Sequence, residues 1–474
     1  LVETNEYKNI ILKYFKNKNI KKIFFKKNLL INKIKNIFKV LMIFLENISY
    51  LTLSTILQRR QTIDGNLNLI HFDIHSKNDI NSDRYFHFYK HFAKIKKDIA
   101  VTYTILPRYV DFNFSKYIKF IKQINISKNK CILFENILSP TDYLYILYKS
   151  LFPKHVIINN YNEFKFDIRE LIKEEIVNLK SPRPTFNAYV YFEFIKKLSK
   201  KTNILRLLLW HENYIPEKGL LLSLSRYSKN TKSKGYQGFA PQNFLLNLFV
   251  TETEKQANIT PNIISCISKK NLNVIKKYTR SQKYEISPSL RYELIHDHQI
   301  NLPSSDNYKC FIYAPYDKEE TINILQLIIK YNEYNKGGIV FNIKFHPGGP
   351  SKWLRIYNKI ISNSNINIIK RASNITLSDC DLVIAGPSSV CIESIAMGKY
   401  VLVYDRKVGS FRSTITQDLS KDLYCIFSDF NELSSNLNRY IRNKRKINIV
   451  DFNKIKLDYF EKITEKNLHN FFYF

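Results

Sequence analysis

The sequence predicts an α/β protein of two parallel-sheet domains behind a basic helical N-terminal segment. Three observations carry this. Short apolar runs alternate with helix-patterned stretches from residue 61 onward, which is how parallel βαβ units read. Two such runs in the second half end in turn-forming residues: one at His346 and Pro347, the other at Gly386, Pro387, Ser388 and Ser389. The chain has 474 residues, 45% of them hydrophobic, enough to bury two cores.

Residues 1–60 are lysine-rich with interspersed Ile, Leu and Phe at helical spacing, so one or two basic amphipathic helices are expected. Within them, residues 40–57 are the most apolar stretch. Glu46 and Asn47 fall at its middle, and a carboxylate at a bilayer centre costs about 2.5–3.5 kcal/mol, so the stretch reads as a buried helix. An interfacial anchor assisted by the preceding lysines is the alternative reading.

Residues 61–300 read as a Rossmann-like domain. Strands are expected at 67–74, 99–107 and 131–139, helices at 82–95 and from a cap at Thr141, then a helical insertion. A strand at 203–210 ends at His211, Glu212 and Asn213; the segment 235–239 follows, its glycines expected to let a ligand or the other domain approach, and 262–268 reads as the last strand. Residues 301–309 are polar and read as the linker. A second Rossmann-like domain occupies 301–450, and 451–474 forms a terminal helix.

The chemistry concentrates where strands end. In the second domain, Asp381–Ala385 is a strand, Ser388 and Ser389 open a helix, and Gly398 stops it. A helix N-terminus at a strand's carboxyl end presents unpaired N–H groups to an anion, so Ser388 and Ser389 are candidate phosphate ligands. Glu393, one turn later, suits a ribose diol. His346 is placed to donate to a phosphate oxygen or protonate a leaving nucleotide, against the plainer reading of a strand-end turn residue. In the first domain Glu212 is the candidate general base toward an acceptor hydroxyl, with His211 and Glu217 as rivals; Glu217 also reads as a first-turn helix residue favoured by the dipole.

Other patterns exclude function classes. The sequence has neither GxGxxG nor the G-K-[ST] of a P-loop, so no nicotinamide site, no ATPase and no cofactor are expected. Asp379-Cys380-Asp381 looks like a DxD metal motif but precedes a buried strand, so a structural role is expected and no metal is required. The six cysteines form no CxxC or Cys/His cluster, which fits reduced thiols in a cytoplasmic protein. The net charge is +33, yet lysine is spread along the chain and no nucleic-acid motif occurs, so the charge is read as a surface that concentrates anions such as sugar nucleotides or acidic lipid headgroups.

The order of these signals resembles a known family. His346-Pro347 followed by Ser388-Ser389 at a helix start resembles the C-terminal nucleotide-binding half of GT-B glycosyltransferases, especially bacterial sialyl- and Kdo-type transferases that use CMP-activated sugars. Residues 207–239 are similar to a region of bacterial surface carbohydrate (capsule, O-antigen) biosynthesis proteins, departing from it at Pro216 and Gly238. The resemblance implies two facing Rossmann-like domains, a last helix packing back on the first domain, and a nucleotide phosphate held by His346 and the serine pair. It implies a nucleotide-sugar partner and a glycan or lipid-linked acceptor; the basic surface and N-terminal segment add an expected peripheral contact with an anionic membrane, and without a recognition motif no nucleic-acid partner is expected. Alternatives on the same fold are a sugar-nucleotide epimerase or a CDP-polyol phosphotransferase; of another class, a basic polymer-binding protein.

Overall fold

The computed structural model describes residues 29–58, 63, 65–74, 99–105, 114–126, 130–152, 182–240, 248–300, 308–335, 338–346, 349, 351–362, 364–369, 377–407, 414–415, 419–443 and 449–473. The chain begins with α1 (Leu29–Leu57) and continues β1 (Asn66–Ile74), β2 (Ile99–Ile105), α2 (Phe114–Ile126), β3 (Lys130–Ile132), α3 (Pro140–Leu151), α4 (Pro182–Lys201), β4 (Asn203–Trp210) and α5 (Ile215–Tyr227). Then come β5 (Lys232–Gln237), α6 (Glu252–Gln256), β6 (Ile263–Cys266), α7 (Lys269–Ile275), β7 (Lys283–Ile286) and α8 (Glu293–Asp297). The second half runs β8 (Tyr308–Tyr313), α9 (Lys318–Tyr334), β9 (Ile339–Lys344), α10 (Ser351–Ile361), β10 (Ile366–Ile368), β11 (Leu382–Ala385), α11 (Ser389–Ala396), β12 (Tyr400–Tyr404), β13 (Tyr424–Phe427), α12 (Phe430–Asn443), α13 (Ile449–Tyr459) and α14 (Glu465–Phe472).

These strands form two sheets, ordered β3-β2-β1-β4-β5-β6-β7 and β10-β9-β8-β11-β12-β13, with every pairing parallel. The expected α/β architecture of two parallel sheets is what the chain adopts. Each sheet reverses its direction of growth once, between β1 and β4 in the first and between β8 and β11 in the second. In open parallel sheets, that crevice at the strands' carboxyl ends is where ligands bind.

Strand residues divide between two cores. Leu207 and Leu209 of β4 join the core under α3, α4 and α5, whereas Leu208 and Trp210 face the opposite way. In β11, Leu382 and Ile384 pack under α9, while Val383 and Ala385 join the same core as Leu208 and Trp210. One apolar cluster thus lies between the sheets, filled by Leu290, Tyr292 and Ile295 and by Phe452, Tyr459, Phe460 and Phe471 of the last helices. Burying each such side chain contributes about 1.5–3 kcal/mol, so the two halves are held as one unit.

The terminal helix is two helices. It breaks at Phe460 because Glu461 donates its N–H to the Ile267 carbonyl at 2.6 Å and its carbonyl accepts the Ser289 N–H at 3.0 Å. Thr464 caps the new start by accepting from Asn467 N–H. α14 then packs Phe471 edge-on against Tyr236, and the fully buried Lys234 Nζ donates to the Asn470 and Phe471 carbonyls at 3.2 and 3.1 Å while pairing with Glu285 at 2.6 Å. A cation at a helix C-terminus satisfies carbonyls that have no partner within the helix.

Other expectations are corrected. The strand at 131–139 ends after Ile132, because Phe134–Asn136 forms a 3-10 turn closed by the Asn136 side chain on Leu133 N–H. The next helix is capped at Ser139 rather than Thr141, with Pro140 in its first turn and Asp142 reaching back to Ser139 N–H at 2.6 Å. The first sheet does not stop at 262–268, since β7 adds beyond it. Residues 40–57 are helical but buried on one face only: Val40, Ile43, Glu46 and Tyr50 point inward while Phe38, Met42 and Leu45 are exposed. Glu46 resolves the oddity of an acid mid-helix, because it pairs with Arg183 at 2.7 Å and accepts from Tyr50 at 3.1 Å. The helix expected at 82–95, most of the linker at 301–309 and residues 1–28 lie outside the described residues.

Candidate functional site

Both reversal points carry residues singled out by sequence. In the first sheet, β4 ends at Trp210 and the chain kinks through His211, Glu212 and Asn213, the last with φ of 58°. Asparagine tolerates that left-handed geometry. Glu217, in the first turn of α5, folds back over the kink. Its Oε1 accepts Glu212 N–H at 3.1 Å, and its Oε2 accepts Asn213 N–H at 3.0 Å and lies 2.7 Å from His211 Nδ1. Glu217 and His211 are therefore buried brackets that shape the turn, and neither is left exposed to take a proton.

Glu212 points elsewhere. Its Oε1 accepts the Trp210 indole N–H at 2.7 Å, and the Tyr214 hydroxyl also hydrogen-bonds it. Burial holds its carboxyl above the ordinary range, partly offset by the Trp210 hydrogen bond. Of the three acidic or basic candidates it alone is partly exposed. The glycines at 235 and 238 serve this arrangement rather than a ligand. A Cβ on Gly235 would come within 2.8 Å of the His211 ring and one on Gly238 within 2.6 Å of the Trp210 ring, so both make room for the kink's side chains.

At the second reversal point, β11 gives way to Gly386, Pro387 and Ser388, and α11 begins at Ser389. Thr414 Oγ1 donates to the Ser388 carbonyl at 2.9 Å, fixing the turn. Ser388 occupies the N-cap but makes no side-chain cap bond, whereas Thr251, Ser268, Asp317 and Thr464 each accept a backbone N–H at their own helices. The N–H groups that open α11 thus lack a side-chain acceptor, as do those of α3, α5 and α8. Gly398, at φ of 77°, closes the helix as expected.

His346 follows β9, which is separated from β11 by β8. The strands β9 and β11 are thus two strand spacings apart, about 10 Å, a span that a phosphate with its flanking groups bridges. His346 is exposed, and its ring meets Tyr316 edge-on at 5.3 Å; Tyr316 in turn meets Trp353 at 6.0 Å. Neither the imidazole nor the serine pair is sealed from solvent. The Asp379-Cys380-Asp381 motif lies at the other end of β11, where Asp381 accepts Lys309 N–H at 2.7 Å, as its structural reading requires.

Two residues that sequence reasoning missed connect the reversal points: Arg291 and Tyr292, in the 3-10 turn Leu290–Tyr292. Tyr292 is 4% exposed and its hydroxyl faces Ser389 and Glu393, yet closes no hydrogen bond of standard geometry with either. Burial first, and the Glu393 carboxylate second, hold its phenol above the usual tyrosine range, so it remains a donor. Arg291 lies beside the Tyr292 ring, within electrostatic reach of Glu393 from the second domain and Glu212 from the first. Its position after no strand and in no motif left it without a signal in sequence.

No protein-family model matches the chain, and no curated protein does either. Solved structures are similar in fold. A putative UDP-N-acetylglucosamine 2-epimerase from Listeria monocytogenes shares 11% identity at a TM-score of 0.49, covering 87% of this chain and 94% of that one. The UDP-GlcNAc 2-epimerase from Neisseria meningitidis bound to UDP-GlcNAc shares 9% at 0.45, covering 86% and 97%. CalG4, the calicheamicin glycosyltransferase, shares 8% at 0.47, covering 84% and 94%. Similarity at this level does not bear on which donor or reaction this chain uses.

Proposed function

We propose that this chain is a glycosyltransferase that moves a sugar from a nucleotide-activated donor to a glycan or lipid-linked acceptor in surface polysaccharide biosynthesis, without a metal. The observation that carries the reading is that the two reversal points border one apolar cluster, Trp210 at the first and Ala385 at the second. One offers an uncapped helix start with a buried tyrosine hydroxyl; the other offers a carboxylate of raised basicity. The donor phosphate binds at the N–H groups of α11, with Ser388, Ser389 and His346 around it and Glu393 toward the ribose. Glu212 removes the proton from the acceptor hydroxyl as that oxygen attacks the sugar's anomeric carbon and the bond to the phosphate breaks. The helix N-terminus and the imidazole offset the charge that develops on the departing nucleotide. A CMP-linked nonulosonate or Kdo is the favoured donor, from the His-Pro and Ser-Ser resemblance.

The enzyme works at the cytoplasmic face of a membrane. The exposed side of α1 presents Ile34, Ile37, Phe38, Leu41, Met42 and Leu45 at helical spacing, with Lys35 and Lys39 among them. An apolar stripe flanked by lysines on a chain of net charge +33 suits an anionic bilayer surface. Cosedimentation with vesicles should require anionic lipid and weaken in Phe38→Glu.

The deciding experiment incubates the protein with CMP-, UDP-, GDP- and CDP-activated compounds, reading thermal shifts and then product with and without acceptor. Transfer that depends on acceptor supports the reading. Absence of any nucleotide-dependent shift, or sugar isomerisation without acceptor, removes it.

A further inference from the structure

The unabsorbed feature of the cleft is the Arg291–Tyr292 turn. Three observations bear on it. First, Tyr292 is buried to 4% exposure with its hydroxyl turned toward Ser389 and Glu393 at the start of α11 but closing no bond of standard geometry with either, which leaves it able to donate to a ligand there. Second, Arg291 is exposed and, although carboxylates from both domains act on it, it is drawn into no ion pair among the described residues. Third, the turn is pinned: Leu290 N–H donates to the Tyr236 hydroxyl at 3.2 Å and Tyr292 N–H to the Ser289 carbonyl at 2.8 Å, so the pair is presented by rigid backbone. A planar guanidinium kept unpaired beside an oxyanion site is suited to a second anionic group of the same ligand.

We infer that Arg291 and Tyr292 form the second half of the donor site, Tyr292 donating to the phosphate at α11 and Arg291 receiving an adjacent anionic group of the donor. The inference rests on the proposed nucleotide-sugar reading and narrows it to donors with two neighbouring anionic groups. That second group is either a further phosphate or a carboxylate on the sugar. The two acidic residues near Arg291 then have a role as well: without a donor they hold the guanidinium in the cleft, and the donor's anion competes for it.

The test measures dissociation constants by calorimetry for two matched pairs, CMP against a CMP-linked nonulosonate and UMP against UDP. Within the pair that supplies the natural second group, wild type should bind the doubly anionic member about 10–100-fold more tightly, the gain of a charge-assisted bidentate contact. Arg291→Ala should reduce that ratio to near one while changing the single-phosphate affinity less than about threefold; Arg291→Lys should recover only part of it. Tyr292→Phe should weaken both members alike, by roughly 5–10-fold. The favoured pair identifies the second group as carboxylate or phosphate. An unchanged ratio in Arg291→Ala, or no ratio in wild type for either pair, overturns the inference and leaves the nucleotide site standing. If wild type binds none of the four ligands, the proposed function falls with it.

Discussion

The two reversal points of this molecule are braced to different degrees. The first is tied together by its own acids: Glu217 satisfies two backbone N–H groups and His211 Nδ1, and Glu212 is held by Trp210 and Tyr214, while His211 Nε2 and Asn213 Oδ1 stay buried without a partner. The second is left incomplete, with Ser388 making no cap bond and the Tyr292 hydroxyl unpartnered. A base must be held in place before its substrate arrives, whereas a phosphate site gains affinity from donors that nothing else has claimed. On the proposed reading, the braced point acts and the open one receives.

The sharpest way to break the comparison is Glu212→Gln. It keeps the Trp210 contact but removes the base, so turnover should fall about 10²–10⁴-fold with donor affinity unchanged. Because burial raises the Glu212 pKa and the base acts deprotonated, the wild-type rate should decline on the acid side with an apparent pKa above the ordinary glutamate value of about 4.3. A pH–rate profile that lacks this limb would remove Glu212 from the mechanism.

On the receiving side, His346→Ala should lower turnover about 10–100-fold while leaving the melting temperature in place, since the imidazole is exposed. Pairing Ser388→Ala with Ser389→Ala should weaken donor binding by a similar factor, read by calorimetry.

Glu217→Ala tests how far the first site depends on its bracket. It strands two N–H groups and a buried histidine and should destabilise the protein by roughly 2–4 kcal/mol, seen in denaturant unfolding, with kcat falling only as far as Glu212 is displaced.

The smallest effect concerns Glu135, away from either site, whose carboxyl burial pushes up to about 7. An acid with a raised folded-state pKa keeps a proton that the unfolded chain gives up. Stability is therefore highest below the unfolded value and is lost as pH rises to about 7. Glu135→Gln should raise the melting temperature at pH 8 by a few degrees and change little at pH 4.

The sequence by itself determined the parts whose cause is local. Strand 203–210, the helix from Ser389 to its glycine stop, and the strand that precedes His346 each rest on apolar runs bounded by turn residues, and each lies where expected. Only the tertiary structure decided how these parts are used. In a continuous apolar run such as Leu207–Trp210 every residue is buried, so no alternation reveals that Leu208 and Trp210 face the interdomain core while their neighbours face away. Glu212 and Glu217 are rival candidates in the sequence; the kink at Asn213 leaves Glu212 partly exposed and makes Glu217 a bracket. Arg291 and Tyr292 sit in a short turn with no periodicity, and their place between two domains follows from packing across the seam, a long-range contact that no window of sequence contains.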